Sequence, residues 1–418
     1  MSILVKDVEL DGGPTQIYIE GGRIVEIGKR READTVLEAK GKVVLPGLVN
    51  LHTHASMTLF RGLGDDVPLQ TWLETKIWPY EAKLTPEDIH CGAKLACLEM
   101  IKTGTTTFLD MYFHMDMVAK AVREMGLRAF LSEGFIDLGF PSRAQEQFRA
   151  VDESNRKIEA LKSPRITPAL GPHAIYTVSE DSLRRFRELA DTKGYLIHTH
   201  LSETKREVDD CMAQHGLRPA QYLDKLGILA KDVIVAHGCW IDPSEIEILA
   251  HTGTKVAHCP TSNLKLATGQ AMPYAALKEA GVVMGLGTDG AASNNNLDLF
   301  EVMKFAALFQ KFAHRDPTVL PAHEAWQLAT LGGAQALGID AGLIQEGRLA
   351  DLILVDLRRA ELTPRHDDVS NWVYSAHGNI VDSVICDGQV LMKGRRVKGE
   401  AEILEKAAQM ARGLVSRE

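Results

Sequence analysis

The sequence has no C-x-x-C pair, no Lys/Arg-rich run, no apolar stretch of membrane-spanning length and no low-complexity tract. Each absence closes off a class of protein. Six scattered cysteines (Cys91, Cys97, Cys211, Cys239, Cys259, Cys386) read as buried thiols of a reducing compartment, not as a disulfide framework. A net charge of −9 without a basic run excludes nucleic acid and anionic membrane as partners. No apolar run could cross a bilayer. The opening "MSILVKDVELDGG" lacks a basic flank and a long apolar core, so no signal peptide is read and a cytoplasmic location is expected.

What is present suits a soluble chain with a sizeable core: 418 residues, 45% hydrophobic and 25% charged. The segments "ILVKDVEL", "TQIYIEGGRIVEIG" and "GKVVLPG" alternate apolar and polar residues between glycines, as in a small antiparallel sheet. From about Leu45 strand-like and helix-like segments alternate. The strand candidates are "GLVNLHTH", "TTTFLDMYF", "LRAFLSEGF", "RITPALGPHA", "YLIHTHLSE", "VIVAHGCW", "KVAHCPTSN" and "VVMGLGTDG". Eight such units are what an α/β protein of the (β/α)8 TIM-barrel class requires. "TPEDIHCGAKLACLEMIKTG" is the clearest helix, with Thr85 as cap, Pro86 in the first turn and Gly104 as stop. Short strands return in "GLIQEGRLADLILVDL" and "DSVICDGQVLMKGRRV", and "EAEILEKAAQMARGL" reads as a final helix. The expected organisation is a composite β-sandwich from residues 1–46 and 345–418, around a barrel over 47–344.

Two H-x-H pairs, His52/His54 and His198/His200, fall at predicted strand ends. Chance alone supplies about half of one such pair among fifteen histidines, so the motif is weak by itself. In a strand, residues two apart point the same way, and in a barrel the C-terminal strand ends form the active face. His173, Glu203, His237, His258 and Asp289 arrive at corresponding strand ends. Each alone could be a satisfied core residue; their joint placement points to chemistry. Histidine with aspartate suits Zn²⁺ and also accommodates Fe²⁺. No lysine ends the fourth strand to bridge two ions, which argues for one divalent metal and one activated water. His258 reads as a brace of the mouth, not a ligand.

The stretches "PGLVNLHTH", "HTHLSET", "VAHGCW", "VAHCPTSNLKL", "GLGTDGAASNNNLDLFEVMK" and "GLIQEGRLADLILVD" resemble the amidohydrolase superfamily. Within it they look most like the 5′-methylthioadenosine/S-adenosylhomocysteine deaminases. The similarity runs over nearly the whole chain, and related deaminases and triazine-type hydrolases share much of it. The resemblance implies a distorted barrel with a single divalent metal held by His52, His54, His200 and Asp289. It places His237 beside the attacking water, makes Glu203 the proton shuttle and Asp289 a second proton carrier, and gives Glu81, His173 and Glu203 to the substrate. Either Arg143 or Arg149 would meet the substrate's far end.

The implied reaction is hydrolytic deamination of adenine nucleosides, with a small-molecule nucleoside as partner. Deamination or hydrolysis of a guanine-like base or a triazine is the alternative, and a non-catalytic assembly protein is a third. Bland readings stand beside the functional ones. Glu203 could be a solvated charge in a helix's first turn. Glu81 could be an exposed carboxylate before the helix at Pro86, and Trp72 and Trp78 could be core instead of pocket wall. Asn294, Asn295 and Asn296 read as a turn. The native metal, the preferred 5′ substituent and a homo-oligomeric assembly stay open.

Overall fold

Strands from both ends of the chain share one sheet. In the computed structural model, which describes residues 2–29, 31–67 and 69–417, Ser2–Leu10 pairs antiparallel with Gly13–Glu20, and that strand pairs with Arg23–Ile27. Met1, Arg30, Pro68 and Glu418 lie outside the described residues. Lys42–Pro46 then pairs antiparallel with Leu352–Asp356, setting Val44 opposite Leu354. Thr35–Glu38, parallel to Ser2–Leu10, and Val381–Cys386, Gln389–Lys393 and Arg396–Val397 complete a nine-stranded mixed sheet. Its alternating apolar residues, Ile3, Val5, Ile17, Ile19, Val44, Leu352 and Leu354 among them, close into their own core.

Gly47 alone separates Lys42–Pro46 from the first barrel strand, Leu48–Thr53. A Cβ at Gly47 would fall 2.2 Å from Thr106 Oγ1, so only glycine lets the chain pass from sheet to barrel here. Seven more parallel strands follow: Thr105–Tyr112, Arg128–Phe135, Ile166–Pro172, Ile197–Leu201, Val233–His237, Lys255–His258 and Met284–Leu286. They lie side by side in chain order. All eight strand segments read from the sequence are present. They are buried on both faces, which is why they read as apolar runs and not as alternation.

The last strand returns to the first. The Asp289 amide donates to the His52 carbonyl at 3.0 Å. A Cβ on Gly287 would lie 2.8 Å from His52 Cβ, so this glycine permits the close approach. The helix at Pro86–Thr103 starts with a full capping box. Thr85 Oγ1 accepts from the Asp88 amide, the Asp88 carboxylate accepts from the Thr85 amide, and Gly104 ends the helix. A buried ion pair, Arg128 Nε to Asp351 Oδ2 at 2.9 Å, ties the third barrel strand to the sheet. Among the described residues no helix is long and apolar enough to cross a membrane.

Candidate metal and active site

The C-terminal ends of the strands bring the predicted residues together. His52, His54 and His200 each offer a ring nitrogen within 4.8 Å of the others, and so do His52 and His237 with a carboxylate oxygen of Asp289. Asp289 Oδ1 lies 3.4 Å from His52 Nε2 and 3.2 Å from His54 Nε2. The imidazoles are aimed by the backbone. His54 Nδ1 donates to the Met111 carbonyl at 2.6 Å, and His200 Nδ1 donates to the His173 carbonyl at 2.7 Å. Each neutral ring therefore keeps its lone pair on Nε2. His52 Nε2 is buried and has no hydrogen-bond partner, a cost that a bound cation removes. Three nitrogens and one carboxylate form a donor set that fits a divalent metal.

His237 and Asp289 both take left-handed backbone, with φ of 73° and 60°. Such conformations cost non-glycine residues on the order of 1–3 kcal/mol and persist where the surroundings hold them. For Asp289 those surroundings are explicit. Oδ2 accepts from Ser262 Oγ at 2.6 Å and Ser293 Oγ at 2.8 Å, and Oδ1 accepts from the Gly290 amide at 2.8 Å. These donors favour the charged carboxylate against burial, which pushes the carboxyl up. Glu203 goes the other way. Burial raises its pKa, the Asp289 charge adds to the rise, and His237 and His54 oppose it.

The cavity over these groups has a volume of about 1100 Å³, large for a small-molecule site, and a bare heterocycle would leave much of it empty. Glu81, His173, Glu203 and His237 line it. Glu81 is not the exposed carboxylate of the bland reading: Tyr112 OH donates to its Oε1 at 2.6 Å, and burial raises its pKa against that bond. His173 Nδ1 lies 2.9 Å from Thr177 Oγ1, whose own proton goes to the Ala174 carbonyl. Trp72 and Trp78 both line the cavity; Trp72 is buried and Trp78 half-exposed. Arg143 lines it too, whereas Arg149 is not among the described residues that do. His258 is fully buried beyond the cluster, without partners for either ring nitrogen. Asn294, Asn295 and Asn296 lie in the turn beyond the last strand.

Sequence reasoning missed several buttresses. Asn263 Nδ2 donates to His237 Nδ1 at 3.0 Å. Ser262 lies beside it; "KVAHCPTSN" reads as one strand, but the strand stops at His258 and Pro260–Lys265 is a short helix that carries both residues. Asp110, at the end of the second barrel strand, accepts from the Ala55 amide at 2.8 Å just beyond the His52/His54 pair. A carboxylate following an apolar strand was the available signal, the same one that singled out Asp289.

Comparison with known proteins agrees with this geometry. The chain is 50% identical over 423 residues to a 5′-deoxyadenosine deaminase of Methanoregula boonei, covering 100% of this chain and 96% of that protein. It is 49% identical over 405 residues to a 5-methylthioadenosine/S-adenosylhomocysteine deaminase of Thermococcus onnurineus, covering 95% of each. The structure superposes on a zinc-bound adenosine deaminase of Xanthomonas campestris with a TM-score of 0.93 at 35% identity, covering 100% of this chain and 98% of that one. Residues 43–391 match the amidohydrolase family model. With both the barrel and the strand-end ligand cluster in place, the chain belongs to the amidohydrolase family.

Proposed function

We propose that this protein is a metal-dependent aminohydrolase that converts adenine nucleosides to inosine-type products and ammonia. Its substrates would be 5′-methylthioadenosine, S-adenosylhomocysteine, 5′-deoxyadenosine and adenosine. The observation that carries the reading is that Glu203, His237, His54, His200 and Asp289 line one cavity, with the buried His52 within 4.8 Å of the other candidate ligand atoms. The names of the similar proteins support the nucleoside class.

His52, His54, His200 and Asp289 would hold the metal, with Zn²⁺ favoured by the donor set and by the zinc-bound neighbour. The cation supplies Lewis acidity that brings a nearby water towards ionisation at neutral pH. His237 stands apart from the ligands by hydrogen-bond polarity. Because Asn263 donates to Nδ1, the neutral ring carries its proton on Nε2 and offers a donor, not a lone pair. That N–H orients the water oxygen towards C6 of the purine. Glu203, whose burial favours its protonated form, would deliver a proton to ring N1 as the oxygen adds at C6. Asp289 accepts the proton of the water and passes it to the amine. As ammonia leaves, the remaining proton of the C6 hydroxyl returns to the Glu203 carboxylate, so one water is consumed, the acid is regenerated and the carbonyl product remains.

Glu81, held by Tyr112, is positioned to accept hydrogen bonds from the sugar hydroxyls, and His173 faces the same space. Of Arg143 and Arg149, Arg143 is the one on the cavity wall, which Arg206 shares, and it can meet a 5′ substituent. The test is an ammonia-release screen over adenosine, 5′-deoxyadenosine, 5′-methylthioadenosine, S-adenosylhomocysteine, guanine, cytosine and a triazine. A nucleoside should lead. A free base or the triazine outpacing every nucleoside overturns the reading.

A further inference from the structure

A line of buried hydrogen bonds runs beneath the ligand cluster, and its direction can be deduced from one end. The Asp110 carbonyl can only accept. Ser132 Oγ lies 2.5 Å from it and donates its single proton there. Towards His198 Nδ1, 3.3 Å away, Ser132 Oγ is therefore left as an acceptor, so the proton of that contact sits on His198 Nδ1. A neutral His198 then has a bare Nε2. That atom lies 2.8 Å from His52 Nδ1, which must be the donor. His52 has spent its only proton, and its Nε2 carries a lone pair. All three side chains are fully buried, so water does not scramble the order.

We infer that Ser132 and His198 are positioning residues that fix His52 as the Nδ1–H tautomer, so that its Nε2 lone pair is the one turned towards the cation. The reverse polarity would put a proton on His52 Nε2 and block it as a ligand. The fixed polarity also explains the crowding at Asp289. A bare Nε2 and a carboxylate oxygen face each other at 3.4 Å, which repels unless a cation lies between them. His198 is thus not a spare member of the second H-x-H pair. Two residues before His200 on the same strand, it shares that residue's face and serves the ligand on the opposite side of the barrel.

The inference rests on the proposed ligand set through His52 alone, and its tests do not use turnover. Long-range ¹⁵N–¹H correlation on histidine-labelled, metal-free wild type reads the tautomers directly. Expected are protonated Nδ1 and bare Nε2 for both His52 and His198; a protonated Nε2 with bare Nδ1 on either overturns the relay. Divalent-metal affinity, measured by competition with a chelating dye, supplies the second readout. Ser132→Ala and His198→Leu should weaken binding by roughly 10–100-fold, the usual range for groups that orient a ligand. His198→Gln, whose Oε1 can accept from His52 Nδ1, should stay within a few fold of wild type. Equal affinity in all three variants overturns the inference, and Ser132→Ala with the wild-type spectrum decides it if His198→Leu does not fold. Wild type that binds no divalent ion overturns the ligand set itself, a result distinct from wrong tautomers.

Discussion

Glu203 Oε2 lies 3.9 Å from His237 Nε2, and a ring nitrogen of His237 lies within 4.8 Å of an Asp289 carboxylate oxygen. In the proposed mechanism the pair divides proton delivery from oxygen positioning, and Glu203→Gln would separate the two. Glutamine keeps shape and hydrogen bonding but has no proton to give. The expected result is unchanged metal content with kcat reduced on the order of 10²–10⁴-fold. A near-normal rate would move the proton transfer elsewhere.

One divalent metal per chain is expected, and elemental analysis of purified protein checks it. His52→Ala and Asp289→Ala should lose both metal and turnover, since each removes a proposed ligand from the cluster. Near two equivalents, with activity requiring both, would contradict the single-metal site.

Glu81→Ala should lower kcat/KM for nucleosides and leave free adenine unaffected. A site built to bond hydroxyls discriminates by several powers of ten against ligands that lack them. Tyr112→Phe should give the same selectivity more weakly, because it removes only the bond that holds Glu81. An equal loss on adenine and on nucleosides would take the sugar contact away from Glu81.

Glu133 offers a pH test away from the chemistry. Burial pushes its carboxyl up to about 7, against donation from the His114 and Met115 amides. Between the ordinary carboxyl range and pH 7 the folded protein keeps a proton that the unfolded chain has lost. Its contribution therefore favours folding at low pH and declines as pH rises through that window, by on the order of 3 kcal/mol. Denaturant titrations from pH 4.5 to 7.5 should show a shallower decline for Glu133→Gln than for wild type.

The barrel was legible because each of its strands is short, apolar and followed by a polar residue at the mouth. "VIVAH" and "TTTFLD" carry that signature within a few residues. The helix from Pro86 was legible for a similar reason, since cap and stop are local. His52 and Asp289 could be singled out from strand position, but what holds them could not. Ser132 serves a ring 66 positions away, and Asn263 one that lies 26 away. Serine and asparagine are common in loops and strands alike, and nothing in their immediate neighbours marks them. Support of this kind becomes visible only when the strands are side by side.

The pairing of Lys42–Pro46 with Leu352–Asp356 bears on how the protein is made. The strand that ends at His52 and His54 hangs from the sheet by one glycine, and that sheet edge is completed by residues translated about 300 positions later. A nascent chain can pair its first barrel strand with Thr105–Tyr112 as it leaves the ribosome, yet the sheet from which that strand hangs stays open along Lys42–Pro46 until the far end arrives. Contacts this distant in sequence slow folding and lengthen the exposure of apolar strands. Metal capture is then a late event in biogenesis, and chains cut short before Leu352 should emerge as clients of chaperones, not as partly active enzyme.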